Sequence, residues 1–224
     1  MSSRPRLALI HATRVAIDPI EKAAADLWPE AETVSILDAA LSIDRAAASD
    51  LTAKLRDRIL GLSRYAELTG ADGILFSCSA FGSAIEAAAD QSHLPVMKPN
   101  EAMFEAAFDH GTRVALIHTF MPAAKSMERE FAEASASRGV TTRLVPHFCE
   151  DALAAKRDGD DEEHDRLVAE TAAAVGDADV ILLAQFSMAS AAPRARTMTR
   201  IPVLTSPEAA IAEIRRRVEA RERT

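Results

Sequence analysis

The sequence predicts an α/β fold of two similar lobes, each a parallel sheet flanked by helices. First, three segments recur at one spacing: RLALIHAT from residue 6 returns as RVALIHTF from 113, ADGILFSCSAFG from 71 as ADVILLAQFSMA from 178, and LPVMKPNEA from 94 as IPVLTSPEA from 201. Each offset is 107 residues (113 − 6, 178 − 71 and 201 − 94). Second, strand and helix patterns alternate within each half, which is typical of parallel sheets covered by helices.

The predicted strands are short apolar or β-rich segments that end in small or polar residues: RLALI, TVSIL, GILFS and PVMK in the first half, and RVALI, TRLVP, VILLA and PVLT in the second. Helical spacing and strong helix formers predict helices over DPIEKAAADLW, IDRAAASDLTAKLRDRILGLSRYAEL and GSAIEAAADQ. We expect a first lobe over residues 1–99, a second over 100–206, and a C-terminal helix over 207–224 that packs back on the first.

Composition and charge disfavour several function classes. The 224 residues carry a net charge of −8, which argues against a nucleic-acid or anionic-membrane surface. The first residues contain only the short apolar run LALI, so neither a secretory signal nor a membrane span is predicted, and the expected location is the cytoplasm. Two cysteines lie 71 positions apart (149 − 78) and form no metal or disulfide pattern, and phosphate-binding glycine motifs are missing. We expect neither a metal nor a cofactor.

Ligands of parallel sheets bind at the carboxyl ends of the strands, and there the repeated segments place small and polar residues. These candidates for the site are His11, Thr13, Ser77, Cys78, Ser79 and Ala80 in the first half, and His118, Thr119, Gln185 and Ser187 in the second. A pseudo-twofold axis would bring them to a cleft between the lobes, with Cys78 facing Gln185.

Cys78 is the candidate acid–base residue. It lies between a buried strand and a helix N-terminus, where main-chain N–H groups and the helix dipole stabilise a thiolate. Neighbouring amides and the hydroxyls of Ser77 and Ser79 are suited to hold a carboxylate or an enolate oxyanion. The alternative is that Cys78 is only a small buried hydrophobic residue. Cys149 has Ser42 at the repeat position (149 − 107 = 42), and we expect it to be buried or peripheral.

The tandem halves and the SCSA turn after a strand of the first half resemble the aspartate/glutamate racemase superfamily. That group includes glutamate, aspartate and hydantoin racemases, maleate isomerase and arylmalonate decarboxylase, and the resemblance covers essentially the whole chain. It implies cofactor-independent proton transfer at the carbon next to a carboxylate or carbonyl group of a small anionic or amino-acid-like substrate. An isomerase is the first reaction class implied and a decarboxylase the second. Members often form dimers or larger assemblies, so the resemblance is also compatible with a homo-oligomer.

Racemising members of that superfamily use two cysteines, one from each lobe, on opposite faces of the substrate. Cys78 matches the first, but the second position is Gln185, whose carboxamide does not exchange protons at a useful pKa. Three interpretations stay open. Cys78 works on one face alone; or His118, Ser187 or His11 supplies the second proton, histidine having the pKa closest to neutrality; or the chain has lost catalysis and binds a small acid, with Gln185 as a hydrogen-bonding group.

Overall fold

The computed structural model describes residues 4–223, and in these residues it contains two four-stranded parallel sheets. Arg6–His11 (β1), Glu32–Leu37 (β2), Gly73–Phe76 (β3) and Val96–Met97 (β4) form the first, in the order β2-β1-β3-β4. Arg113–His118 (β5), Arg143–Phe148 (β6), Val180–Leu183 (β7) and Val203–Thr205 (β8) form the second, in the order β6-β5-β7-β8. The predicted fold class is confirmed. Residues 1–3 and 224, within the predicted first lobe and C-terminal helix, lie outside the described residues.

Helices connect the strands of both sheets. They are Ile17–Leu27 (α1), Ala40–Ala46 (α2), Ala53–Leu68 (α3), Gly82–Gln91 (α4), Glu101–Ala107 (α5), Met121–Arg138 (α6), Ala152–Arg157 (α7), Asp161–Ala173 (α8), Ala192–Met198 (α9) and Ser206–Glu222 (α10). Short 3₁₀ turns at Ser79–Phe81 and Phe186–Ala191 precede α4 and α9.

The single helix predicted over residues 43–68 is wrong, because the segment forms α2 and α3 with a break between them. Thr52 has an extended backbone, and its hydroxyl accepts a hydrogen bond from the Leu55 N–H at 3.3 Å. A threonine that caps an N-terminal N–H in this way starts a new helix, since it satisfies one of the donors that the first turn leaves free.

The two halves do not follow one constant offset. His11 pairs with Leu37 across β1 and β2, whereas His118 pairs with Phe148 across β5 and β6, so β6 follows β2 by 111 residues (148 − 37). The extra residues lie in α6, which has 18 residues where α1 has 11.

This change of offset corrects the counterpart of Cys149. The Cys149 N–H donates to the His118 carbonyl oxygen, as the Asp38 N–H donates to that of His11. The counterpart is therefore Asp38 and not Ser42. Cys149 is buried, as expected, with 3% of its surface exposed.

The central strands of both sheets are buried on both faces. Leu7 and Leu9 of β1 pack with α1 and α10, while Ala8 and Ile10 point to the opposite side and join a cluster that continues into the second half. That cluster contains Val114, Leu116, Val180 and Leu182 of β5 and β7. One continuous core therefore underlies both sheets, which fixes the ends of β1, β3, β5 and β7 relative to one another.

Helix α10 packs against the first sheet. Its Ile211, Ile214 and Val218 are buried with the side chains of β1, and burying each such side chain contributes about 1.5–3 kcal/mol. A Cβ atom on Gly73 of β3 would lie 2.9 Å from Val218, so glycine permits this close approach. Within residues 4–223, none of the helices combines the length and the apolar character that crossing a bilayer requires.

Candidate active site

One pocket at the carboxyl ends of the strands is lined by both halves of the chain. Its lining is Thr13, Val15, Ala16, Ser42, Ser77, Cys78 and Ser79 from the first half, and Thr119, Phe120, Leu153, Arg157, Gln185, Phe186 and Ser187 from the second. Seven of the ten residues that the sequence singles out belong to this lining: Thr13, Ser77, Cys78, Ser79, Thr119, Gln185 and Ser187. The other three, His11, Ala80 and His118, are buried and do not line it.

The pocket encloses about 50 Å³. Ser42 on α2 and Arg157 on α7 both belong to connections after edge strands; Ser42 is half-buried and Arg157 is exposed.

Cys78 directly precedes the turn at Ser79–Phe81, and its side chain makes no hydrogen bond that caps this turn. Arg45 contacts the turn, since its Nε donates to the Ala80 carbonyl oxygen at 3.2 Å. Burial raises the pKa of the Cys78 thiol to about 11, against the opposing effects of the Ala80 N–H and the Arg45 charge. At neutral pH Cys78 is therefore a thiol, which can donate a proton.

Gln185 occupies the position in the second half that corresponds to Cys78. Its Oε1 accepts a hydrogen bond from the Thr119 N–H at 3.0 Å, and its Nε2 lies 4.0 Å from the sulfur of Met127. The carboxamide is thus anchored to the end of β5. It has hydrogen-bonding capacity for a ligand but no proton that it can transfer to carbon at a useful pKa.

The two strand-end histidines differ in their surroundings. His11 is fully buried, and its Nδ1 lies 2.9 Å from Ser77 Oγ, while burial lowers its pKa to about 4. His118 packs at 5.4 Å, between ring centres, against Phe148, and no partner of its Nδ1 is found among the described residues. Burial lowers the pKa of His118, opposed by the charge of Glu128. Both imidazoles are neutral near pH 7.

A buried charged cluster adjoins Cys78. Glu130 on α6 is 3% exposed; its Oε1 accepts from Ser126 at 3.0 Å, and its Oε2 has no hydrogen-bond donor among the described residues. Lys98 lies 4.0 Å from that oxygen and bonds Glu86 at 2.6 Å. Burial raises the pKa of Glu130 to about 7, with Lys98 opposing, and the Glu130 charge in turn raises the pKa of Cys78.

The cluster has no equivalent beside Gln185. The segments from β3 to β4 and from β7 to β8 keep the 107-residue offset, since Val96 pairs with Ile74 as Val203 pairs with Ile181. At that offset Glu86 corresponds to Pro193, and Lys98 to Thr205. Glu86 and Lys98 of the cluster therefore belong to the half that carries the cysteine, while the buried Glu130 comes from α6 of the other half.

The family described as Asp/Glu/Hydantoin racemase matches residues 10–214. The chain belongs to the Asp/Glu/hydantoin racemase family. This confirms the resemblance that the repeated segments and the SCSA turn indicate. Among curated protein sequences, none matches the chain significantly.

Solved structures share the fold of this racemase-family chain. Allantoin racemase from Klebsiella pneumoniae has a TM-score of 0.75 at 19% identity over 96% of this chain and 88% of that one. Glutamate racemase from Bacillus anthracis has a TM-score of 0.73 at 11% identity over 98% and 84%. A mutant of arylmalonate decarboxylase in its sulfate-associated form has a TM-score of 0.68 at 17% identity over 96% and 94%. At these identities the likeness is one of fold.

Two polar groups of this racemase-family pocket have no partner among the described residues. Arg157 is exposed, and its guanidinium makes no hydrogen bond or ion pair with them. The buried Thr119 Oγ1 is likewise without a partner there. Sequence reasoning missed Arg157 and Ser42, because both lie on short helices after edge strands and not at the repeated strand ends. The ALAAKR segment offered only a basic residue at a helix end as a signal.

A larger open groove of about 700 Å³ runs alongside between α1 and α9 and shares Val15 with the pocket. Its charges are largely paired with one another, as in Lys22 with Asp26 and Lys156 with Asp161. It contains neither Cys78 nor Gln185. In residues 4–223 no group of three or more His, Cys, Asp or Glu side chains is arranged to hold a metal ion.

Proposed function

We propose that this protein is a cofactor-independent enzyme in which Cys78 transfers a proton at the carbon next to a carboxylate or similar carbonyl group. The observation that carries the proposal is the position of Cys78. Cys78 directly precedes the turn that leads into α4, and it lines a pocket to which both halves of a racemase-family chain contribute. Isomerisation is the first reaction class, because the family is one of racemases.

The substrate is proposed to be a small carboxylate. Arg157 supports this, since a guanidinium without a protein partner at the pocket is suited to bind a carboxylate through two parallel hydrogen bonds. Thr119 Oγ1 offers a further donor or acceptor. The negative charge of an enediolate formed at the reacting carbon would lie on its oxygen atoms, close to Arg157 and Thr119, and fixed hydrogen-bond donors stabilise such a charge.

The two faces of the substrate are proposed to be served unequally. Cys78 exchanges the proton on one face, while the carboxamide of Gln185 binds on the other without exchanging one. Inversion then needs a proton from elsewhere on the second face. The proposed source is His118 at the end of β5, which is buried next to Thr119 without itself lining the pocket and whose Nδ1 has no partner among the described residues. Inversion should therefore be slower than exchange.

Decarboxylation of a malonate-like acid is the second candidate. It is favoured by the raised pKa of Cys78, because a carbanion left by loss of CO₂ needs one proton donor per turnover, and a neutral thiol is such a donor. The fold is shared with a decarboxylase as well as with racemases.

Proton NMR in D₂O tests the proposal on a panel of 2-substituted acids, amino acids, hydantoins and malonates. The wild-type protein should exchange the hydrogen at the reacting carbon, or incorporate deuterium there after decarboxylation. Cys78→Ala should lower this rate at least a thousandfold. Cys149→Ala is the matched control and should retain it, since Cys149 is buried beside Thr171 and does not line the pocket. Equal losses in both variants, or no loss in Cys78→Ala, would refute the proposal.

A further inference from the structure

A chain of three hydrogen bonds joins the pocket to the surface in the first half. Ser77 Oγ lies 2.9 Å from His11 Nδ1, and His11 Nε2 lies 3.3 Å from Ser35 Oγ. Ser35 Oγ in turn lies 2.5 Å from Glu21 Oε1. The four residues come from the end of β3, from β1, from β2 and from α1. Ser77 lines the pocket, whereas Ser35 is exposed.

The direction of each bond follows from the carboxylate at the outer end. A carboxylate only accepts hydrogen bonds, so the single hydroxyl proton of Ser35 is donated to Glu21. Ser35 Oγ must then accept from His11, which places the ring proton on Nε2.

The tautomer of His11 determines the role of Ser77. A neutral imidazole has one N–H, and the burial that lowers the pKa of His11 to about 4 keeps the ring neutral. With its proton on Nε2, His11 accepts at Nδ1, and the Ser77 hydroxyl is the donor. Ser77 Oγ is left with lone pairs and without a proton for a ligand.

We propose that this chain, starting at Glu21, holds Ser77 as a hydrogen-bond acceptor in the pocket. The site then selects substrates that carry an N–H or O–H donor beside the reacting carbon, such as an amino or ureido group, over substrates with an apolar substituent there. Glu21, Ser35 and His11 are positioning residues that act through Ser77. This inference rests on the proposed function and names the residues that position Ser77 for it.

The second half lacks an equivalent series of hydrogen bonds, although it keeps a histidine, His118, at the same strand end. The strand register places Pro146 where the first half has Ser35, since Leu116 pairs with Pro146 as Leu9 pairs with Ser35. Ala184 replaces Ser77, because each follows the last residue of the corresponding strand. The hydrogen-bonded chain from Glu21 to Ser77 therefore occurs only in the cysteine-bearing half of the described residues, and repeat symmetry does not account for it.

Heteronuclear NMR of the histidine ring nitrogens tests the direction of the chain without any substrate. In the wild-type protein His11 should carry its proton on Nε2 and none on Nδ1. Ser35→Ala should convert this signal to a mixture of tautomers and leave the His118 signals unchanged. Ser35 lies at the surface end of the hydrogen-bonded chain, so folding should be unaffected. A proton on His11 Nδ1 in the wild-type protein would overturn the inference.

Matched substrate pairs test the selectivity. Each amino acid of the exchange panel is compared with the acid in which a methyl group replaces the amino group. Ser35→Ala and Glu21→Gln should lower the preference for the amino compound about tenfold to a hundredfold, mainly through KM, which is the size expected for a hydrogen bond to a charged donor. Glu128→Gln is the control, because Glu128 acts on His118 and not on His11.

The outcomes separate this inference from the proposed function. An unchanged preference in Ser35→Ala, with wild-type exchange intact, would overturn the inference alone. If the wild-type protein exchanges none of the compounds, the proposed function fails, and dissociation constants of the same pairs then decide the inference. Tighter binding of the amino compound that is lost in Ser35→Ala would uphold it, and equal binding would overturn it.

Discussion

A Cβ atom on Gly82 would overlap Oε1 of Glu130. The first residue of α4, four positions after Cys78, is therefore in direct contact with a buried carboxyl group that α6 brings from the other half of the chain. The glycine makes room for the carboxyl group, and the carboxyl group raises the pKa of the cysteine. Chemistry at Cys78 is thus coupled to the packing of α6 on α4.

The contact predicts that Gly82→Ala destabilises the fold. The added methyl group must displace a carboxyl group that is enclosed by Ser126 and the backbone of α4, and overpacking of this kind costs about 1–3 kcal/mol. Urea denaturation measures the change in the free energy of unfolding. Gly61→Ala is the control: Gly61 lies within α3 with no atom near its Cβ position, and alanine there should stabilise by about 0.5–1 kcal/mol. Equal changes in both variants would contradict the contact.

The raised pKa of Glu130 predicts a loss of stability as pH rises. In the unfolded chain this carboxyl titrates near 4.5 and in the folded protein near 7, so between these values the folded state holds a proton that the unfolded state has lost. Unfolding stability therefore falls across that window, by roughly 3 kcal/mol in total, and the loss is complete above pH 7.

Glu130→Gln checks the pH dependence, because glutamine stays neutral. The variant should gain stability relative to the wild-type protein between pH 4.5 and pH 8, as measured by urea midpoints at both values. If the difference between the two proteins is the same at both pH values, Glu130 does not titrate as the burial of its carboxyl requires.

Gln185→Cys should speed inversion. The substitution places a thiol at the position that corresponds to Cys78, so both faces of the substrate have an exchangeable proton. Loss of the Thr119 N–H bond should cost about 1 kcal/mol of stability, which leaves the protein folded. Polarimetry on a substrate that the wild-type protein exchanges should show inversion at least tenfold faster. Unchanged inversion with intact exchange would place position 185 away from the second face.

Arg157→Ala should weaken substrate binding. Removal of a guanidinium that binds a carboxylate raises KM about tenfold to a hundredfold, with a smaller effect on kcat. The KM of Arg157→Lys should fall between those of the wild-type protein and Arg157→Ala, since an ammonium keeps the charge without the two parallel donors. Arg200→Ala removes an equal charge from an exposed position outside the pocket and serves as the control. A rise in KM for Arg200→Ala as large as that for Arg157→Ala would mean that the net charge of the protein, and not a contact of Arg157 with the substrate, causes the change.

The repeat in the sequence predicts the fold well because the repeated segments are strands of the two sheets. RLALIH and RVALIH are buried central strands in both halves, and their apolar runs and polar ends can be read without knowledge of the rest. The same strand ends lead to Cys78 and Gln185, since parallel strands finish at one edge. Element boundaries that depend on capping are harder to predict, as the break at Thr52 shows.

Contacts that depend on register or on packing between the halves are not readable from the sequence. The bond from His11 to Ser35 requires the pairing of β1 with β2, and the contact of Glu130 with Gly82 requires α6 to pack across the halves. Arg157 lines the pocket from α7. This helix follows the edge strand β6, which does not keep the 107-residue repeat offset of the central strands. Ser35, Glu130 and Arg157 appear in the sequence as ordinary polar side chains.

The most direct test of the central claim follows one enantiomer of an exchanged substrate in D₂O with the wild-type protein. Deuterium incorporation at the reacting carbon is measured by NMR, and inversion by chiral chromatography of the same samples. If Cys78 alone exchanges protons and Gln185 does not, deuterium should enter the starting enantiomer several times faster than the opposite enantiomer forms. Inversion at the same rate as exchange, with all the deuterium in the opposite enantiomer, would contradict the account.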